Sequence, residues 1–418
     1  MAAFLDICRF IPSAGGTADW AYSSAVTGYV GPAVAGAVDG IRYKYRAESS
    51  DLSQWEVGEG TYTLATNTLS RDAVLVNSSG DANRVNFGAI PQVAIVALSD
   101  DVISSAYGIV NHSLAVSAAG GNLTIALKDA AGNDPTPISP VKGFFGSASG
   151  PLTRIAVASA LSVTIPWSGM FGIVPGQAFR LWAVLFNDAG MPRLGVIRCS
   201  DGAHIYPLTE GRTVSSSIPS SGSTLPGSFY TDVAVASAPF LIVGYAEWSS
   251  AGIVATAVWD TTNLLYVQAF GPGIKKPGDV VQKVYTAAVF SATQNPSSTV
   301  LTAAAGSGLV IAPSSAANRV SVRYTGSQLA TAGGAGNNTE VSSQIGWNGA
   351  AAPFSNVNIV GVVSASGTNQ QTNGALALAA SHTPNSTGAQ TYTVMFAGLN
   401  SFGYNIVSGV GEASEIMA

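Results

Sequence analysis

Three histidines, two cysteines and a scatter of carboxylates are the residues of this chain with chemistry to offer. His112, His204 and His382 each stand alone, with no HExxH, no HxH and no cysteine nearby, so each reads as a surface or satisfied loop histidine rather than a metal ligand. Cys8 and Cys199 have no CxxC partner and read as buried free thiols. Asp129, Asn133 and Asp134 could surround a cation, but no glutamate follows at ligand spacing and a hairpin turn explains them better. Asp100 with Asp101, and Asp51 with Glu56, are the carboxylates that lie close in sequence. Neighbours on a strand point to opposite faces, so each reads as a solvated strand end rather than half of a glycosidase pair. Serine is plentiful, but no GxSxG elbow precedes a helix. No catalytic residue, metal or cofactor is assigned, and a non-enzyme is expected.

Binding chemistry is better represented. Asn337, Asn338 and Thr339 in the stretch 331–339, and Asn369, Gln370, Gln371 and Asn373 in the stretch 366–374, offer donors and acceptors without charge. Such loops suit many weak hydrogen bonds to a neutral glycan. Trp347, ahead of Asn348-Gly349 and near Phe354, and the pair Phe402 and Tyr404 around Gly403, are aromatics for a sugar-stacking platform; core packing is the other reading. A net charge of −5 with dispersed Lys and Arg leaves no electrostatic footprint for nucleic acid.

The elements that must position these residues read as strands. Gly (47) and Pro (20) punctuate short apolar runs, and helical periodicity is nearly absent, which is the pattern of sandwiches and barrels. Alternating or apolar runs at 41–47, 55–63, 93–98, 123–128, 141–145, 154–158, 161–165, 179–186, 194–197, 320–326, 359–364 and 392–396 read as core strands. So do 233–237, 240–248 and 253–259, while the serine-rich 215–227 reads as an exposed loop or ribbon. The most apolar window, 240–259, contains Glu247 and the turn-like Ser249-Ser250-Ala251-Gly252, so a hairpin is expected there rather than a membrane span. Residues 1–10 carry Asp6 inside an apolar run with no basic residue ahead, unlike a secretory leader. Only 10% of residues are charged against 47% hydrophobic, and surface of that kind is expected to be covered by subunit contacts.

One seam organises the chain. Gly271-Pro272-Gly273 and Lys276-Pro277-Gly278 are two turn signals a few residues apart, with φ preset at each proline and positive φ open to the glycine after it. A double corner here joins two modules in fixed relation. The expected fold is all-β with little helix, in three consecutive sandwich or barrel modules: 1–101, 102–282 and 283–418.

The residues Arg9, Gly28-Tyr29, Ala35-Gly36 with Asp39-Gly40, Arg42-Tyr43, Trp55-Glu56-Val57-Gly58-Glu59-Gly60-Thr61-Tyr62-Thr63, Leu69-Ser70-Arg71, Asn77-Ser78-Ser79 and Val85-Asn86-Phe87 resemble, as an ordered set, a module of tailed-bacteriophage tail-fibre and related virion structural proteins. Phe270-Gly271-Pro272-Gly273-Ile274-Lys275-Lys276-Pro277-Gly278-Asp279-Val280-Val281-Gln282 is similar to a segment recurrent in the same proteins. Glu415-Ile416-Met417-Ala418 resembles the terminal strand of trimeric fibre sandwiches. The resemblance implies an elongated homotrimer that is made in the host cytoplasm and carried on the virion. Its first module would attach to other tail or head proteins, and its last would trimerise and bind host-surface glycan or lipopolysaccharide, without membrane insertion. A tail fibre or adhesin is the leading expectation, a head fibre or capsid decoration protein the second, and a polysaccharide-degrading tailspike the third.

Overall fold

The computed structural model describes residues 5–98, 108–137, 139–146, 152–202, 204–206, 210–216, 219–220, 222–255, 257–294, 298–332, 338–353, 358–363, 370–398 and 404–418. Among them, helix is confined to a single 3-10 turn, Leu64–Thr66, and the strands pair antiparallel.

In the first module Arg42–Glu48 pairs with Gln92–Ile95, which pairs in turn with Arg9–Pro12. Trp20–Ala25, Thr68–Leu69 and Trp55–Thr63 follow, and the last returns to Arg42–Glu48. Six strands therefore close on themselves as a barrel, which removes sheet edges at the closure. Ala73–Asn77 extends the sheet beyond Trp55–Thr63. Along Trp55–Thr63 the buried positions are Glu56, Gly58, Gly60 and Tyr62, the period of two that a strand imposes. Both glycines are required by close approach: a Cβ on Gly58 would meet the Tyr45 ring, and one on Gly60 would stand 1.7 Å from the Ser70 carbonyl. Phe10, Trp20, Tyr43, Tyr45, Phe87 and Val93 fill the interior.

The middle module is built on the hairpin Phe179–Asp188 and Met191–Ile197, turned by Ala189 and Gly190 at φ 51° and 97°. Positive φ at both central residues is the two-residue turn that matches strand twist. Ala238–Trp248 lies on the other side of Phe179–Asp188, and Leu264–Ala269 lies beside it. Two three-stranded sheets, centred on Asn122–Lys128 and Val141–Phe145, pack against this layer. Phe179–Asp188 is buried along nearly its whole length because its second face is covered too, by Phe270, Ile274 and Met417 among others.

Several sequence expectations change here. Residues 253–255 and 257–259 are not strand: Val254 N donates to Asp260 Oδ2 at 3.0 Å, and the Trp248 indole Nε1 donates to the Asp260 carbonyl at 3.0 Å. The partner of Ala238–Trp248 is therefore Leu264–Ala269. Residues 233–237 are not a strand either, since Ser215 takes the Val235 backbone: Val235 N donates to Ser215 Oγ at 3.0 Å. The serine-rich segment is only partly exposed, with Ser215, Pro219 and Ser223 buried and the Ser223 carbonyl accepting from Phe171 N at 2.8 Å. Asp129 caps a turn that carries the chain from one three-stranded sheet to the other, so the turn is not a hairpin. Its carboxylate accepts from Ala131 N, Asn133 N and Ser139 Oγ.

The last module is a sandwich. One sheet runs Val280–Tyr285, Tyr404–Ile416, Arg319–Ala332, Gln370–His382, with Phe290–Gln294 also on Tyr404–Ile416. The other centres on Gln390–Gly398 and Asn338–Trp347. Val320, Tyr324, Ile345, Leu376, Tyr392 and Val407 lie between them. Residues 375–380 are strand, with Leu376, Leu378 and Ala380 inward.

Candidate functional site

Strand register sorts the last module into two ends. At one, Val320 faces His382, Arg319 faces Ile416 and Trp347 faces Tyr392. At the other, Ala332 faces Gln370, Thr331 faces Tyr404 and Asn338 faces Val363. The first end adjoins the middle module, since Ala178 N donates to Asn385 Oδ1 at 2.7 Å. The described ends of the amide-rich stretches are therefore at the far end, and they are strand rather than loop. Thr331, Ala332, Asn338 and Thr339 belong to strands, and Gln370, Gln371 and Asn373 to Gln370–His382. A backbone ladder is indifferent to amide side chains, which alternate outward at Gln371 and Asn373. Asn337 and Asn369 lie outside the described residues, as do Phe354 and Phe402.

Trp347 does not join this group. It sits nine residues up its strand from Asn338, roughly 30 Å away at ordinary strand rise. Its ring meets His382 edge-on at 4.6 Å, and its Nε1 donates to Gln390 Oε1 at 2.9 Å. Asn348 and Gly349, at φ 49° and 87°, turn the chain tightly behind it. His382 is buried on a strand rather than in a surface loop, with Nε2 2.7 Å from the Tyr392 hydroxyl. Burial, with the Arg319 charge added, pushes its imidazole down to about 4. The group is an internal polar clasp. Both cysteines are buried and free, and burial pushes the Cys8 thiol up to about 11.

A second cluster was not foreseen. Glu56, expected to be a solvated strand end, is fully buried because it falls on the inward register of Trp55–Thr63. Arg71 Nε donates to Glu56 Oε1 at 2.9 Å, and Nη2 donates to Oε2. The same carboxylate accepts from the Tyr45 hydroxyl and Val85 N, each at 2.7 Å. Arg71 also lies 4.3 Å from the Trp20 ring and donates to the Val85 carbonyl. Three of the segments singled out in sequence, containing Glu56, Arg71 and Val85, thus meet in one buried network. An acidic and a basic residue amid strand-like runs were the available signal.

The seam is the third cluster. Gly273 and Gly278 take φ 78° and 91°, as their placement after Pro272 and Pro277 predicts; Gly271 does not. Gly278 N donates to the Met417 carbonyl and Met417 N to the Asp279 carbonyl, both at 2.9 Å. Beneath this corner Arg180 pairs with Glu247 at 2.7 Å, both buried, and donates to Asn318 Oδ1. Asn318 donates onward to Glu415, which also accepts from Ser314 and Gln282. Trp182 Nε1 donates to the Ala418 backbone oxygen at 3.0 Å. Middle and last modules are thereby joined by a buried, hydrogen-bonded polar core.

Among the described residues, no three His, Cys, Asp or Glu side chains stand together as a metal site. No protein-family model and no curated protein matches the chain. Among solved structures, that of infectious bursal disease virus Gx strain aligns over 74% of this chain and 81% of that one at 10% identity, with a TM-score of 0.14, far below that of a shared fold.

Proposed function

We propose that this chain is a non-catalytic structural protein of a tailed-phage virion, a fibre-like adhesin that assembles as a homotrimer and meets host glycan with the far end of its last module. The phage setting rests on the sequence resemblance. The observation that carries the assembly is the outer face of the sheet containing Arg319–Ala332. Ala375, Ala377, Ala379, Thr325, Ser327 and Val410 lie exposed across its strands, a patch of mostly small residues roughly 15 Å long at ordinary strand rise. Within it Arg323 and Glu412 stand opposite each other on adjacent strands, and neither has an ion-pair partner among the described residues. A rotationally repeated copy brings the arginine of one subunit to the glutamate of the next.

Sedimentation velocity at micromolar concentration tests this. A trimer is expected for the native chain, weakened assembly for Arg323→Glu, and recovery when Glu412→Arg is added. A native chain that stays monomeric overturns the reading.

A further inference from the structure

Where the middle and last modules meet, a small enclosed cavity is lined by Gln177, Arg180, Arg198 and Ser200 of the middle module and by Thr383 and Ala418 of the last. About 10 Å³ of it is open to the centre of a water-sized sphere, room for a single atom-sized guest. Two donors on lining residues are buried and have no partner among the described residues, Arg198 Nε and Thr383 Oγ1. The Ser200 hydroxyl accepts from Gly202 N at 3.2 Å, which leaves its own proton to give. The Ala418 backbone oxygen, an acceptor of the lining, is already taken by Arg180 Nη1 at 3.3 Å and Trp182 Nε1 at 3.0 Å.

Arg198 decides the sign of the guest. It is 4% exposed, and its guanidinium gives one hydrogen bond among the described residues, from Nη1 to the Phe171 carbonyl at 3.3 Å. No carboxylate among the described residues pairs with it. Asp201 is felt through space, but its carboxylate holds His204 Nδ1 at 3.0 Å and the Tyr206 hydroxyl at 3.2 Å. The next acidic residues along the chain are taken as well: Glu210 by Lys276, Asp232 by Arg193 and Glu247 by Arg180. Burial pushes Arg198 down to about 10, which leaves it charged at neutral pH. A guanidinium buried without a counter-charge is costly, and an anion brought to it removes that cost.

Size and charge together select the class of guest. Phosphate, sulfate and carboxylates are polyatomic and too large for the space. A water molecule brings two protons that need acceptors, where the lining offers chiefly unspent donors, and it leaves the charge unanswered. A cation is repelled. A halide ion is a single atom, accepts from every side and carries the charge that Arg198 lacks.

We propose that this cavity is a halide site, filled by chloride in ordinary media and held by Arg198, Thr383 and Ser200, and that the ion pins the middle module to the last. The site depends on neither trimer assembly nor the virion setting.

Thermal melting of the full chain tests it, with chloride raised at constant ionic strength against gluconate, an anion too large for the cavity. The native chain is expected to melt about 2–4 °C higher in chloride. The shift is expected to vanish in Arg198→Met and to shrink by at least half in Thr383→Val, which serves alone if the arginine variant does not fold. Arg212→Met, at an exposed arginine elsewhere in the middle module, is expected to keep it. Crystals grown in bromide locate the ion by its anomalous scattering, with a peak expected within hydrogen-bond reach of Arg198 Nε or Thr383 Oγ1. Equal melting of the native chain in the two salts means that Arg198 is answered by the chain's own carboxylates and overturns the proposal. So does a shift kept in full by either cavity variant, a shift lost equally in Arg212→Met, or bromide found only on the outer surface.

Discussion

At the scale of single residues, the chain hides its charged groups in the places where several segments must agree. Glu56 and Arg71 are each 0% exposed in their side chains, and each satisfies the other. Glu56→Gln leaves the guanidinium buried without its counter-charge, a change that costs about 3–5 kcal/mol. Hydrogen exchange of the Trp55–Thr63 amides is expected to speed up at least a hundredfold in that variant; unchanged protection shows that the pair is dispensable. His382 gives a pH dependence with a definite sign. Its folded form resists protonation down to about 4, whereas the unfolded chain protonates near the ordinary 6.5. The unfolded state therefore binds more protons between these values, and stability present above pH 6.5 is lost as pH falls towards 4, by up to about 3 kcal/mol. Melting at pH 7 and pH 5 is expected to differ less in His382→Gln than in the native chain. His112, also pushed down by burial, contributes equally to both proteins and cancels. An identical drop in the two proteins removes His382 as the cause.

At the scale of elements, the corner from Phe270 to Val280 shows two separate demands on glycine. A Cβ on Gly278 meets nothing within 4 Å, so its requirement is only the φ of 91°. Gly60 is the opposite case, excluded from bearing a side chain by the Ser70 carbonyl. Gly278→Val is accordingly expected to destabilise by about 1–3 kcal/mol through backbone strain, and Gly278→Asn by less than half of that, because asparagine tolerates positive φ. Melting temperatures of the two variants check this. Equal losses point instead to a role for Gly278 other than its φ. The element that the corner holds is Tyr404–Ile416, flanked in its sheet by Val280–Tyr285 on one side and Arg319–Ala332 on the other. The last regular strand of the chain is thus central to the last sheet.

At the scale of the whole molecule, the two inter-module junctions are built differently. Middle and last modules share a buried polar core, running from Arg180 and Glu247 through Asn318 to Glu415, with Met417 packed on the apolar face of the middle sheet. First and middle modules meet across a cleft of about 900 Å³ beside the ion pair of Arg154 with Glu59. One junction is a buried polar core and the other an open cleft. This division suits the proposed assembly, in which the first module attaches and the last presents a surface.

Composition and local pattern were enough to determine the all-β class. Strands such as Trp55–Thr63, Asn122–Lys128 and Gln390–Gly398 are written as alternation or apolar runs bounded by turn residues, and a positive φ after each seam proline follows from the chemistry of the Pro-Gly pair. Tertiary structure alone decided which strands are neighbours. The pairing of Arg9–Pro12 with Gln92–Ile95, that of Ala238–Trp248 with Leu264–Ala269 across an intervening loop, and the buried pairing of Glu56 with Arg71 all join residues well separated along the chain. Nothing local marks such contacts, because a carboxylate on an alternating strand reads the same whether solvent or a guanidinium lies beyond it. Trp347 makes the same point about function. Its ring reads equally as platform or core, and only the strand register, which sets it roughly 30 Å from Asn338, assigns it to the clasp around His382.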